Sequence, residues 1–124
     1  MHSYKGGTAI KLARKWSYLI KKVPENRARI IFARNNFWGR SLAAISSSTD
    51  PLSTTHFGPF MPGFTVIDYN NIPQLEATFE QDSNIVAFYV EPIQGEAGVV
   101  VPDEDYLVNV RRLCTKHNVL MVPP

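Results

Sequence analysis

The apolar run Ile85–Val90 limits the fold more than any other segment of this 124-residue chain. A strand that is apolar on both faces is typical of a parallel sheet covered by helices on both sides. Arg29–Ala33 and Phe64–Tyr69 are further runs rich in β-branched and aromatic residues, and Val119–Val122 is a fourth apolar run. We therefore predict a parallel sheet built from these four strands.

Helical patterns lie between the predicted strands. Helices are predicted at Thr8–Lys22, Ser41–Ser47, Ile72–Glu80 and Asp103–His117. Thr8, Asn71 and Asp103 are the predicted N-terminal caps, because their side-chain oxygens can accept from the first free amides. Asp50–Gly63 contains three prolines and two glycines and is predicted to be a loop. The alternation predicts an α/β fold, one domain or part of one, with helices on both faces of a mostly parallel sheet.

The first predicted helix is amphipathic and basic. Its buried stripe is predicted to be Ala9, Ile10, Leu12, Ala13, Trp16, Leu19 and Ile20. A basic, acid-free start also resembles a mitochondrial transit peptide, but this segment continues into the fold without a Ser-rich stretch. An ordinary surface helix is therefore the favoured interpretation, and the chain has no clear targeting segment.

The charge is unevenly distributed along the chain. Residues 1–40 hold ten of the thirteen Lys and Arg residues and one acid, a formal charge of +9, whereas residues 41–124 carry −7. Such asymmetry is typical of a nucleic-acid arm, or of two parts that dock on each other or on a longer chain. No zinc or helix-turn-helix signature accompanies the basic residues, and no run reaches ~18 apolar residues. We therefore predict neither a nucleic-acid nor a membrane partner.

Two candidate sites follow predicted strands, since ligands of open α/β sheets bind outside the carboxyl ends of the strands. They are Asn35–Arg40 and Glu91–Glu96. A carboxylate in this position is costly to bury without a partner, so it either meets a cation or caps a backbone turn. Neither site carries a phosphate-loop fingerprint or a cluster of metal-ligand type, and the single cysteine excludes an internal disulfide.

Five segments of the chain closely resemble the ornithine δ-aminotransferases, which are class III pyridoxal-phosphate-dependent aminotransferases. The segments are NFWGR, SLAAISSSTDP, FGPFMPGF, VEPIQGEAGVVVPD and RRLCTKHNVL. They occur in the order and at the spacings of that family, over about Thr8–Val122. The resemblance implies part of the large domain of a fold-type-I transferase, with pyridoxal phosphate bound at the interface of a homo-oligomer.

The resemblance also implies a reaction and a compartment. The family transfers the δ-amino group of ornithine to 2-oxoglutarate, giving glutamate-5-semialdehyde and glutamate. This reaction belongs to arginine catabolism and proline biosynthesis. The implied partners are thus a small amino acid and a 2-oxo acid, and the implied compartment is the mitochondrial matrix or the cytoplasm.

Site roles are carried over motif by motif. Phe37 resembles the ring that stacks on the cofactor pyridine, and Trp38 looks like a wall beside cofactor and substrate. Arg40 resembles the residue that binds a substrate carboxylate, as a guanidinium fork does well. Glu91 resembles a carboxylate near the cofactor. Glu96 looks like the acid that pairs with an arginine beyond Pro124, so that one pocket accepts ornithine and an acidic substrate.

Several family features do not match this chain. The family's lysine that holds the cofactor as an imine is matched by none of Lys5, Lys11, Lys15, Lys21, Lys22 and Lys116. Pro123-Pro124 stands in place of the aspartate at the ring nitrogen, and Met1–Lys5 in place of the phosphate-binding turn. We therefore expect a single partial domain without the small domain, inactive alone, and no catalytic residue is assigned. The alternatives are a non-catalytic homologue that docks on a full-length subunit, and a basic-helix binder of nucleic acid or membrane surfaces.

Overall fold

The structure, a computed structural model, describes residues 2–95 and 99–122, with side chains from Gly7 onwards. Its strands are β1 Arg29–Ala33, β2 Phe64–Ile67, β3 Ile85–Tyr89 and β4 Leu120–Val122. Its α-helices are α1 His2–Trp16, α2 Leu42–Ile45, α3 Pro51–Thr54, α4 Ile72–Gln81 and α5 Tyr106–His117. A π-helical turn, Ser17–Lys21, continues α1.

The four strands form one sheet in the order β2-β1-β3-β4, and every neighbouring pair is parallel. The predicted α/β class and parallel sheet are therefore confirmed. β1 and β3 are the central strands, with Ile31 opposite Phe88. Every residue of β3 is buried, as expected for a strand covered on both faces.

Side chains of the central strands alternate between two apolar cores, because successive residues of a strand point to opposite faces. Ile31 and Phe88 pack with α4 and α5 on one face. Ile30, Phe32 and Tyr89 pack with α1 and α2 on the other. The prediction of helices on both faces is thus confirmed.

Side-chain hydrogen bonds cap the first turns of α2 and α4, two helices that the sequence predicts. The Asn71 side chain accepts from the Gln74 amide at 3.0 Å at the start of α4, as predicted. The Ser41 hydroxyl accepts from the Ala44 amide at 3.2 Å at the start of α2. Each oxygen thereby satisfies an amide that has no partner inside the helix.

The predicted start of the first helix is wrong, whereas its predicted buried face is confirmed in part. α1 begins at His2, so Thr8 lies inside the helix and cannot cap it. Helix formation through Gly6 and Gly7 costs about 1 kcal/mol per glycine but leaves the backbone hydrogen bonds intact. The buried face contains Ile10 and Ala13.

Part of the predicted stripe is exposed on the opposite side. Leu12, Leu19 and Ile20 are all more than half exposed. The predicted stripe covers more of the helix surface than packs against the sheet, so only one side of the stripe is buried.

Two further boundaries differ from prediction. The predicted loop Asp50–Gly63 contains the short helix α3, because the Asp50 carboxylate accepts from the Leu52 amide and a proline occupies the first turn. α5 begins at Tyr106 instead of at Asp103. The Tyr106 amide donates to the Asp103 carbonyl in a turn that precedes the helix, so the predicted Asp103 cap is wrong.

Basic and acidic parts of the chain meet in the fold. Arg34 pairs with Asp68 at 3.2 Å, and Arg29 lies 3.8 Å from Asp82. Both pairs are partly exposed, so each contributes roughly 0–1 kcal/mol. Across residues 2–95 and 99–122, no helix combines the length and apolarity needed to cross a membrane.

Substitution of the α4 cap tests this account of local structure. Asn71→Ala should lower the free energy of unfolding by about 1 kcal/mol, because the Gln74 amide loses its acceptor. Asn71→Ser keeps a capping oxygen and should remain within a few tenths of a kcal/mol of the parent. Urea unfolding followed by circular dichroism measures both; equal losses in the two variants would exclude the capping role.

Candidate functional site

The candidate site lies at the carboxyl edge of the sheet, between β1 and β3. The chain leaves β1 toward α2 on one face of the sheet and leaves β3 toward α5 on the other. Connections that depart to opposite faces open a crevice at this point of the strand order, which is where ligands of such sheets bind. We refer to residues 34–40 as the β1 loop and to residues 91–95 as the β3 loop.

A hydrogen bond from the Phe37 backbone to the Glu91 side chain joins the two loops at the crevice. The Phe37 amide donates to Oε1 of Glu91 at 2.8 Å, and the Glu91 residue is only 8% exposed. The carboxylate therefore reaches from the end of one central strand to the backbone of the other. A carboxylate that accepts from a backbone amide forms a short, charge-assisted hydrogen bond.

Buried polar side chains fix the β1 loop from its other side. The Asn36 amide group donates to the carbonyls of Ala33 and Ser47 at 2.9 and 2.7 Å. The Ser47 hydroxyl accepts from the Trp38 indole at 2.7 Å. The segment before and after Phe37 is therefore held in one conformation, and the Phe37 backbone has little freedom to move.

Trp38 lies in the apolar core beneath the crevice. Its ring is stacked on Phe32 with centroids 5.7 Å apart, it also contacts Tyr89, and it is 2% exposed. In this conformation Trp38 supports the loop from below, and its role as a wall for cofactor or substrate stays a prediction.

Phe37 and Arg40 border an open pocket of about 490 Å³. Its other lining residues are Leu42, Ile45, Asp50, Leu52, Ser53 and Phe57. Gly39 has a φ of 141°, a backbone conformation that favours glycine, and it separates buried Trp38 from exposed Arg40. The pocket therefore presents an aromatic ring and a guanidinium on a mostly apolar wall.

The structure reveals two residues whose roles the sequence did not predict. The Gln94 side-chain amide donates to the Arg34 carbonyl at 2.9 Å, which forms a second link between the two loops. The Tyr69 hydroxyl lies 2.6 Å from the Glu91 carbonyl and 3.0 Å from the Pro92 carbonyl. Sequence gave a signal only for Gln94, which lies within the EPIQGE motif, whereas Tyr69 had been assigned only to the end of a strand.

Two tyrosines close to Glu91 stay protonated to high pH. Burial raises the pKa of Tyr89 to about 12, and the negative charge of Glu91 adds to the shift. Burial also raises the pKa of Tyr69 to about 12, with smaller contributions from Tyr106 and Glu91. Both phenols are therefore neutral near pH 7, and the Tyr69 hydroxyl can donate a hydrogen bond.

The lysines with described side chains lie away from the pocket. The Lys21 amine donates to the Ile85 carbonyl at 2.6 Å, at the amino end of β3 and thus at the opposite edge of the sheet. Burial lowers the pKa of Lys21, and the Asp82 carboxylate partly offsets this effect. Lys11, Lys15, Lys22 and Lys116 are not among the residues that line the pocket.

Three sets of predictions concern residues outside the described part. Glu96 lies in the gap between residues 95 and 99, and Pro123-Pro124 lies beyond residue 122. The side chains of Met1–Lys5 likewise fall outside the described residues. Their roles remain predictions from the resemblance.

Comparison with known proteins gives the family. The model of the class III aminotransferases matches residues 6–123. The mitochondrial ornithine aminotransferase of Drosophila melanogaster is 64% identical over 117 residues, which cover 94% of this chain and 27% of the fly protein. The mitochondrial ornithine aminotransferase of Rattus norvegicus is 60% identical over the same length and is covered to 26%.

Solved structures agree with the sequence comparison. The ornithine aminotransferase of Toxoplasma gondii superposes with a TM-score of 0.96 at 46% identity, over 99% of this chain and 29% of that chain. The chain thus spans about a quarter of the length of these relatives. It belongs to the class III aminotransferase family, and its fold is part of a domain of such an enzyme. Within that family it is similar to ornithine aminotransferases, as the sequence motifs predicted.

The described side chains fit part of the cofactor that the family implies. Pyridoxal phosphate has an aromatic ring, which can stack on the Phe37 ring at the pocket wall. Since no described lysine borders this pocket, these residues fit non-covalent contacts to the group and do not supply its covalent attachment.

Raised tyrosine pKa values predict loss of stability at alkaline pH. The pKa of Tyr89 is higher in the fold than its ordinary value of 10.0, so the fold favours the neutral phenol. The resulting stability is complete below about pH 10 and is lost as the pH rises toward 12. Tyr89→Phe should therefore lose less of its free energy of unfolding across this interval than the parent. Urea denaturation at a series of pH values makes the comparison, and parallel curves would contradict the shift.

Proposed function

We propose that this chain provides one wall of a pyridoxal-phosphate site for ornithine transamination. The observation that carries the proposal is the Phe37–Glu91 hydrogen bond beside a pocket that also contains Arg40. In this arrangement the Phe37 ring lines the pocket together with Arg40, and the Phe37 amide binds the buried Glu91 carboxylate at the carboxyl edge of the sheet. The family membership and the similarity to ornithine aminotransferases support the same function over the nucleic-acid and membrane alternatives.

Phe37 is proposed to stack on the pyridine ring of the cofactor. Its side chain is half-buried and lines the pocket, while its backbone is fixed by the Glu91 carboxylate. A ring held in this way loses little freedom when a flat ligand stacks on it, and stacking of a flat heterocycle on an aromatic side chain contributes about 1–3 kcal/mol. Bound pyridoxal phosphate would serve as an electron sink for the amino-group transfer.

Arg40 is proposed to bind a substrate carboxylate. Its exposed guanidinium is on the pocket side of the β1 loop, three residues after Phe37. A guanidinium presents paired donors that match a carboxylate, so 2-oxoglutarate or the α-carboxylate of an amino acid suits this position. Trp38 and Glu96 remain proposed neighbours of the substrate, on the strength of their motifs.

The proposed enzyme requires groups that the described residues do not provide. We infer that residues 1–124 are one segment of a cofactor-binding large domain, and that lysine attachment, the ring-nitrogen acid and the phosphate turn come from other parts of a longer chain or from a partner subunit. The chain alone should therefore not catalyse transamination. A homo-oligomer in the mitochondrial matrix is proposed as the working form, and the compartment is supported by relatives named as mitochondrial ornithine aminotransferases.

The Arg40 assignment is tested with 2-oxoglutarate as the probe. Nuclear magnetic resonance titration of the 124-residue chain should shift the amides around Phe37 and Arg40. Arg40→Ala should weaken the binding of 2-oxoglutarate by roughly 10-fold or more, because it removes a hydrogen bond between charged groups.

Arg112→Ala is the matched control, since Arg112 is an exposed arginine on α5 that does not line the pocket. This variant should bind 2-oxoglutarate as the parent does. Equal affinity of the parent and Arg40→Ala, or an equal loss in both variants, would contradict the proposed site. Pyridoxal phosphate added to the parent should shift the same amides without forming the absorbance band of a covalently bound cofactor.

A further inference from the structure

We propose that Tyr69 is a positioning residue, which holds the β3 loop so that the Glu91 carboxylate stays on the Phe37 amide. Tyr69 follows β2, Phe37 follows β1 and Glu91 follows β3, so the three residues come from the carboxyl ends of three adjacent strands. The inference rests on the proposed function, because a fixed Phe37 ring matters only if a ligand stacks on it.

The β3 loop has few backbone contacts of its own where it leaves the sheet. The Val90 amide still donates to the Val122 carbonyl at 3.0 Å, as part of the pairing with β4. Pro92 has no amide hydrogen, and Ile93 is 56% exposed. The backbone between Val90 and Gln94 therefore depends on contacts from outside the loop.

Tyr69 supplies such contacts on both sides of the Glu91-Pro92 peptide bond. Its hydroxyl lies 2.6 Å from the Glu91 carbonyl and 3.0 Å from the Pro92 carbonyl, so its proton is shared between two acceptors. Because burial raises the pKa of this phenol to about 12, it remains a donor at neutral pH. A deprotonated oxygen would instead repel both carbonyls.

The Tyr69 ring is itself held in place. It packs edge-on against Tyr106 with centroids 5.2 Å apart, and Tyr106 is a buried residue in the first turn of α5. Phenylalanine at position 69 keeps this ring contact and removes only the hydroxyl. The substitution should therefore preserve the fold while it releases the β3 loop.

The consequence of this release is a weaker Glu91–Phe37 contact. Gln94 anchors the far end of the β3 loop, through its side chain to the Arg34 carbonyl and through paired backbone hydrogen bonds with Val100. Without the Tyr69 hydroxyl, the near end would lose the hydrogen bonds that the Glu91 and Pro92 carbonyls accept. The Glu91 carboxylate would then leave the Phe37 amide more often, and Phe37 would lose its fixed position in the pocket.

Amide hydrogen exchange of Tyr69→Phe in the 124-residue chain tests the inference without any ligand. The Phe37 amide should exchange up to about 10-fold faster than in the parent, as expected for the loss of one hydrogen bond. The amides of Ile31 and Phe88 in the central strands should remain within about twofold, since a local opening does not require global unfolding.

Tyr18→Phe is the matched control, because the Tyr18 hydroxyl also has a backbone partner, the Ala28 amide at 3.3 Å, but lies away from the β3 loop. It should leave Phe37 exchange unchanged. Unaltered Phe37 exchange in Tyr69→Phe, or acceleration of all amides alike, would overturn the positioning role. Either result would leave the proposed function to be decided separately by the 2-oxoglutarate titration.

Discussion

The hydrogen bond from the Phe37 amide to the Glu91 carboxylate is the contact on which the candidate site depends. It joins loops that are 54 residues apart in sequence and that leave the central strands toward opposite faces of the sheet. Without a partner, a carboxylate as buried as Glu91 would cost several kcal/mol. The same contact therefore satisfies a buried charge and fixes the backbone from which Phe37 extends into the pocket.

The parallel sheet makes this contact possible. Parallel strands place all their carboxyl ends at one edge, and the order β2-β1-β3-β4 brings the ends of β1 and β3 side by side. The Asn36, Ser47 and Trp38 network supports the β1 loop from the core, and Gln94 and Tyr69 hold the β3 loop. Of the residues in the two loops, Phe37 and Arg40 line the pocket. The polar side chains of Asn36, Ser47 and Gln94 instead hold the loop backbones in position.

Sequence predicts the central strands β1 and β3 well because their apolar pattern reflects burial on both faces. The bounds of β1 were predicted correctly, and Asn71 was correctly predicted as a cap, because the physical cause in each case is local. The exposed side of α1 could not be predicted, since Leu12 and Ile10 are equally apolar and only packing on the sheet separates them. The motif Asp50-Pro51 did signal the start of α3, but proline and glycine content led to a loop prediction.

The candidate site was likewise predicted only in part from the sequence. Strand ends identified both loops, and the family motif singled out Phe37, Arg40 and Glu91. Neither could indicate that Tyr69 contacts the β3 loop, because that contact depends on the spatial order of the strands. The most direct test is the proton chemical shift of the Phe37 amide as a function of pH. We predict that it titrates with one carboxyl group and that Glu91→Gln abolishes this titration; a pH-independent shift in the parent, or an unchanged titration in Glu91→Gln, would contradict the contact.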